Sequence, residues 1–419
     1  MVALRALLLA APALALLAPR TPSELLAEYG APVPLPRPRY LARNASAPTT
    51  LRAAAAARGL AIGAAINQAL YTSASEPQYA ATFLQEFSLA TCENGCKCAE
   101  TEPEQGTFDF SECSFIADAA LNAGKGAFRG HNFVWGPYNP SWVSSALGPA
   151  GLKQAMATHI GTLLAHYAAD ASLPPFKCWD VVNEAVCDPG SSQYNCSHGA
   201  LWKDVVWSPS GEGTAGGYVE NAFRFAQAAN TQKLKLFYND YSAEAAGGTK
   251  SDKVYAMLQD MLARGVPITG VGLQVRQRAA VKGGALLGSA ALSLTLTFTR
   301  TLLPPSFSAQ MHVSVDGYPN PWQVAANIKR LGELGLEVHI TEMDVSCKGC
   351  TAERLELQAA VYGHMLEACL NNSGVCTSFE TWGVTDAHSW LGSDVSPLLF
   401  DQAYAKKPAY FELLAVLTQ

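Results

Sequence analysis

From about residue 50 onward, stretches whose apolar residues recur every three or four positions alternate with short, nearly continuous apolar runs. The first spacing gathers apolar side chains on one face of a helix; the second suits a strand buried on both faces. Leu51–Arg58, Leu152–Ala169, Tyr218–Ala229, Ser251–Arg264, Pro321–Leu334 and Ala352–Cys369 are the predicted helices. The predicted strands are Leu60–Gly63, Phe87–Ala90, Gly126–Arg129, Cys178–Val182, Lys235–Tyr238, Ile268–Leu273, Leu336–Ile340 and Ser378–Trp382. Eight strands alternating with helices predict an α/β fold of the (β/α)8 TIM-barrel kind. In such barrels the chemistry gathers at the C-terminal ends of the strands.

Composition agrees with this pattern and narrows the partners. The chain has 419 residues, 49% of them hydrophobic, enough for one large core. Its net charge is −6, and no basic stripe with interleaved aromatics occurs, which argues against nucleic acid and for a neutral polymer. Arg5 followed by the apolar stretch Ala6 to Ala18 reads as a secretory signal over residues 1–18. Residues 19–48 are proline-rich and read as a linker; residues 49–419 form the barrel domain. Asn44, Asn195 and Asn371 each open an Asn-X-Ser sequon, in keeping with a secreted glycoprotein. No membrane span is expected in the mature chain, which is read as a monomer.

Of the 11 cysteines, three short-range pairs are open to disulfides: Cys187 with Cys196, Cys347 with Cys350, and Cys369 with Cys376. A zinc site of Cys96, Cys98, Cys347 and Cys350 is the alternative. The signal segment implies an oxidising compartment and favours disulfides.

Two segments carry the chemistry, Trp179-Asp180-Val181-Val182-Asn183-Glu184 and Leu336-Glu337-Val338-His339-Ile340-Thr341-Glu342. Each is a mostly apolar run that ends in a glutamate. Cleavage of a glycosidic bond needs two carboxyl groups, one to protonate the leaving oxygen and one to attack the anomeric carbon or activate water. Asn183 can donate a hydrogen bond to a sugar hydroxyl. Asp344, two residues beyond Glu342, shares its face if the chain stays extended.

With these segments as anchors, the chain from about residue 50 to its end resembles the family 10 glycoside hydrolases, the retaining endo-β-1,4-xylanases. Thr91-Cys92-Glu93-Asn94-Gly95-Cys96-Lys97 resembles the family's Thr-Pro-Glu-Asn-x-Met-Lys stretch. Arg129-Gly130-His131 with Val134-Trp135, then Pro140-Ser141-Trp142, follow in order. So do Trp179 to Glu184, Tyr238-Asn239-Asp240-Tyr241, Gly270 to Gln274, Ile340 to Val345, Trp382 to Asp386, and Ser389-Trp390. The resemblance implies Glu342 as nucleophile and Glu184 as general acid/base, with neither metal nor organic cofactor. It implies that Asn183 bonds the 2-hydroxyl of the sugar being cleaved. Asn94, Lys97 and His131 would bind the glycone side, and Trp135, Trp382 and Trp390 would wall the sugar nearest the cut. Glu93, Gln274 and His312 complete the implied sugar-binding set, with Asp344 supporting. The chain departs from the family at Cys92, Cys96 and Cys98, where Pro, Met and Trp are usual, and at Gly136 and Tyr138, where His and Gln are common.

The family pattern runs Gln-x-His after the sixth strand, whereas here Gln274 is followed by Val275-Arg276. Met311-His312 supplies the continuation after a stretch, residues 275–310, that contains no acidic residue. Valine codons begin GT and a glutamine codon can end in AG, so residues 275–310 read as a translated, unspliced intron. A surface insertion is the alternative. The expected activity is a secreted endo-β-1,4-xylanase acting on xylan. A related β-1,4-glucanase, or a polysaccharide-binding protein disabled by residues 275–310, are the competing readings.

Overall fold

A computed structural model describes residues 38–42, 49–122, 126–169, 178–187, 217–274 and 313–419. Eight parallel strands close into a barrel. In chain order they are Ala61–Ile66, Leu89–Cys92, Ala127–Val134, Cys178–Asn183, Lys235–Asp240, Gly270–Leu273, Glu337–Met343 and Cys376–Thr381. The first pairs with both the second and the eighth, which closes the ring. A two-residue pair, Val313–Ser314 with Val345–Ser346, lies outside the ring.

All eight predicted strands are present, but several run further toward their C-terminal ends than the apolar pattern indicated. The third continues through His131-Asn132, the fifth through Asn239-Asp240 and the seventh through Thr341-Glu342. These polar residues are buried in the strand ends with hydrogen-bond partners, so polarity does not mark the end of the strand there.

The predicted helices are also present, among them Tyr218–Ala229 and Ala352–Leu370. Local chemistry sets their starts. Asn320 and Thr351 accept the N–H of Trp322 and Arg354 respectively, satisfying donors that the first turn cannot pair internally. Pro77–Glu86, Ser111–Asn122 and Pro408–Leu417 are further helices that the apolar pattern did not single out. No described helix is long and apolar enough to cross a membrane.

The core between ring and helices buries Phe128, Trp179, Val271, Val338 and Phe379, while Leu89 and Phe237 are buried on the inner face of the barrel beside Glu380, Arg129 and His339. Burying each such side chain contributes roughly 1.5–3 kcal/mol. Trp179 stacks on Phe133 with centroids 4.4 Å apart, directly against Gly130, where a β-carbon would come within 2.1 Å of the indole. Of the stretch read as a linker, Arg39–Ala42 forms a 3-10 turn. The Tyr40 N–H donates to Glu412 at 3.0 Å, and Arg39 pairs with Glu367.

Three disulfides join described residues: Cys96–Cys113, Cys347–Cys350 and Cys369–Cys376. The last two are expected pairs. Cys187 is also disulfide-bonded, and Cys196 lies outside the described residues. The zinc alternative does not hold, because Cys96 is joined to Cys113 and Cys347 to Cys350. No group of three or more potential metal ligands occurs among the described residues.

Candidate active site

The register of the fourth to seventh strands brings the two glutamates to one mouth. Asn183 lies beside Asn239, Asn239 beside Gly272, and Leu273 beside Ile340. Glu184 and Glu342 therefore sit at the C-terminal ends of the fourth and seventh strands, both buried. Glu184 has φ of 57°, in the left-handed region, and its N–H donates to the Asn239 carbonyl at 2.8 Å. Such a backbone costs on the order of 1–3 kcal/mol for a non-glycine residue, and it turns this side chain out of the strand direction.

Asn239 is the hub. Its amide nitrogen donates to Glu342 Oε1 and to Asn183 Oδ1, each at 2.8 Å, and its oxygen accepts the Thr341 hydroxyl at 2.8 Å. Gln274 donates to the same Asn183 oxygen at 3.1 Å. With its oxygen doubly engaged, Asn183 keeps its amide N–H groups for a ligand. Gly272 makes room for this hub, because a β-carbon there would come within 2.1 Å of Asn239 Oδ1.

Trp135 donates its indole N–H to Glu184 Oε2 at 3.0 Å. Its ring lies parallel to Tyr138, centroids 5.9 Å apart. The Lys97 ammonium stands 5.0 Å from the Trp135 centroid and 4.6 Å from that of Tyr138, and donates to Asn94 Oδ1 at 2.8 Å. Burial lowers the Lys97 pKa, opposed by the charges of Glu342 and Glu93. Burial likewise raises Glu93. Trp382 meets His131 edge-on at 5.2 Å, and Trp390, 41% exposed, donates to Asp344 Oδ2 at 3.0 Å. His312 lies outside the described residues. The other residues expected at the site therefore fall at this mouth.

Beneath the carboxylates is a polar layer of which only His131 was expected to act at the site. Arg129 pairs with Asp180 and donates to His339 Nδ1 at 2.8 Å. His131 Nδ1–H donates to Asp180 at 2.9 Å, and burial holds this imidazole below its ordinary pKa. Burial pushes Asp180 up, but Arg129 and His131 outweigh it and hold the carboxylate below its usual range. Around Glu184 the Tyr238 hydroxyl accepts the N–H groups of Ala185 and Val186, and donates to Asp240, which pairs with Lys250.

Burial, and next the charge of Glu184, push the Glu342 carboxyl up to about 8. Two buried carboxyl groups that sense each other titrate as a pair, and below that pH they hold a proton between them. Asn239 opposes the upward push by donating to Glu342, which favours the anion at that position. One carboxylate and one carboxylic acid in a shared cleft can serve as nucleophile and proton donor.

The sequence matches glycosyl hydrolase family 10 over residues 50–285 and 306–416. The chain belongs to that family. The family match skips residues 286–305 and takes in 275–285 and 306–310, so its gap is shorter than the expected stretch 275–310. Among family relatives, endo-1,4-beta-xylanase B of Neocallimastix patriciarum is 32% identical over 335 residues, 80% of this chain. Exoglucanase XynX of Acetivibrio thermocellus is 29% identical over 338 residues, 78% of this chain. This chain spans only 32% and 26% of those two proteins. The crystal structure of xylanase 10B from Thermotoga petrophila in complex with xylobiose superposes with a TM-score of 0.71 at 27% identity. That match covers 89% of this chain and 98% of the other.

Proposed function

We propose that the chain is an endo-β-1,4-xylanase that cleaves xylan with retention, through a glycosyl-enzyme on Glu342. The observation that carries this reading is the buried pair Glu184 and Glu342 at one barrel mouth, with Asn239 donating to the second and Trp135 to the first. Glu342 attacks the anomeric carbon from the state in which the shared proton sits on Glu184. Glu184 gives its proton to the departing oxygen, so the leaving sugar departs as a neutral alcohol. Glu184, now a carboxylate, takes a proton from water as that water displaces Glu342 from the anomeric carbon. No metal is part of this cycle.

Asn183 offers its amide to the 2-hydroxyl of the sugar being cleaved. Glu93, Asn94, Lys97, His131 and Gln274 take polar groups of the bound chain, and His312 joins them. The rings of Trp135, Trp382 and Trp390 suit the apolar faces of pyranose sugars. Asp344 supports Trp390. The apolar start and the three sequons support a secreted glycoprotein.

The relative named as an exoglucanase favours a β-1,4-glucan as the second reading. The test is reducing-sugar release from xylan and from a soluble β-1,4-glucan, by the chain as written and by one lacking residues 275–310. Glu342→Gln is the blank. Preferred cleavage of xylan supports the reading; preference for glucan replaces it, and binding without turnover by both forms removes it. Activity confined to the shortened form would mark residues 275–310 as a remnant, and equal activity as a tolerated insertion.

A further inference from the structure

The segment between the second barrel strand and the following helix is anchored by sulfur at each end and in the middle. The Cys92 thiol is fully buried at the start of this segment. Cys96, fully buried, is joined to Cys113 on the helix Ser111–Asn122. Cys98 is buried with its sulfur 3.9 Å from His159 Nδ1, and that imidazole also pairs with Glu102 at 2.9 Å. Gly95 rides against the same helix, since a β-carbon there would meet Glu112 Cγ at 2.4 Å. Between these anchors stand Asn94 and Lys97, bonded to each other, with the Lys97 ammonium beside the rings of Trp135 and Tyr138.

We propose that the Cys96–Cys113 disulfide is a positioning element for the sugar-binding arm, holding Asn94 and Lys97 in place for the glycone before substrate arrives. This rests on the xylanase reading of the site. A lysine stem is flexible, and its backbone here belongs to a loop rather than a strand. A cross-link one residue from Lys97 removes backbone freedom that binding would otherwise have to remove. The competing account is a purely global one, in which the cross-link only restricts the unfolded chain. Cys369–Cys376 provides the control. Cys376 opens the eighth strand, at the end of the barrel opposite the glutamates.

The experiment compares the full chain with Cys96→Ala/Cys113→Ala and with Cys369→Ala/Cys376→Ala. Hydrogen exchange of the amides of residues 93–98 is read without sugar, and kinetics are read on xylohexaose. Loss of the first disulfide is expected to speed those amides and to raise KM about tenfold while kcat stays within about twofold. Loss of the second is expected to leave both unchanged. Lys97→Ala is expected to add little in the Cys96→Ala/Cys113→Ala background, because the lysine is already misplaced.

Unchanged exchange at residues 93–98 overturns the proposal, as does an unchanged KM. If the first pair of substitutions prevents folding, Gly95→Ala lifts the arm off the helix with the disulfide intact. It is then expected to raise KM in the same way, and an unchanged KM overturns the proposal. If the wild-type chain neither binds nor cuts xylohexaose, the xylanase reading fails, and exchange alone decides whether the disulfide holds the arm.

Discussion

At the scale of single residues, the account rests on where one proton sits. Burial and Glu184 raise Glu342 to about 8, so the folded pair of carboxyl groups holds one shared proton more tightly than the unfolded chain does. The stability gained from it is full below the ordinary carboxyl range and is lost as pH rises through about 8. Glu184→Gln removes the charge that Glu342 senses. Its melting temperature is therefore expected to exceed that of the wild type at about pH 9, with the gap closing toward about pH 4. A gap independent of pH, followed by calorimetry, would contradict the pairing. The same substitution is expected to lower kcat roughly 10²–10⁴-fold, the usual worth of a proton donor. Asn239 is bound to both Glu342 and Asn183, so Asn239→Ala is expected to lower kcat by about 10²-fold or more. Steady-state kinetics on xylo-oligosaccharides checks this, and a change confined to KM would assign Asn239 to binding alone.

The elements show how much of this was legible in the chain. Cys178–Val182 and Leu336–Ile340 declare themselves as strands because each is a short, mostly apolar run between helical stretches. Glu184 and Glu342 declare themselves because a charge closing such a run stands out. Asn239 was visible only as part of a matched motif with no role assigned, although it sits at the same height of the barrel. Its importance comes from register with Asn183 and Gly272, and register is not written in local spacing. Arg129 was visible only as part of a motif. In the fold it reaches from the third strand to Asp180 on the fourth and His339 on the seventh. Arg129→Leu leaves Asp180 buried without its main counter-charge, and is expected to cost about 3–5 kcal/mol in urea unfolding. A loss below about 1 kcal/mol would mean that the strands do not depend on this ion pair. The helix Ser111–Asn122 also escaped the apolar pattern, because its short sequence mixes Ser, Glu, Cys and Asp. It matters all the same, as the anchor of Cys113.

Across the whole molecule, the barrel separates its tasks by end. Disulfide Cys369–Cys376 lies at the base, while Cys96–Cys113, the aromatic rings and both glutamates belong to the mouth. Gln274, the last described residue before the stretch 275–310, is bonded to Asn183 within the site. The most direct test of the whole account is to trap the intermediate. The chain, with and without residues 275–310, is treated with a 2-deoxy-2-fluoro-xylobioside bearing a good leaving group, digested, and read by mass spectrometry. The account expects one fluoroxylobiosyl adduct, on the peptide that carries Glu342, and none on Glu342→Gln. An adduct on another carboxylate, or xylan cleavage with inversion and no adduct, would contradict it.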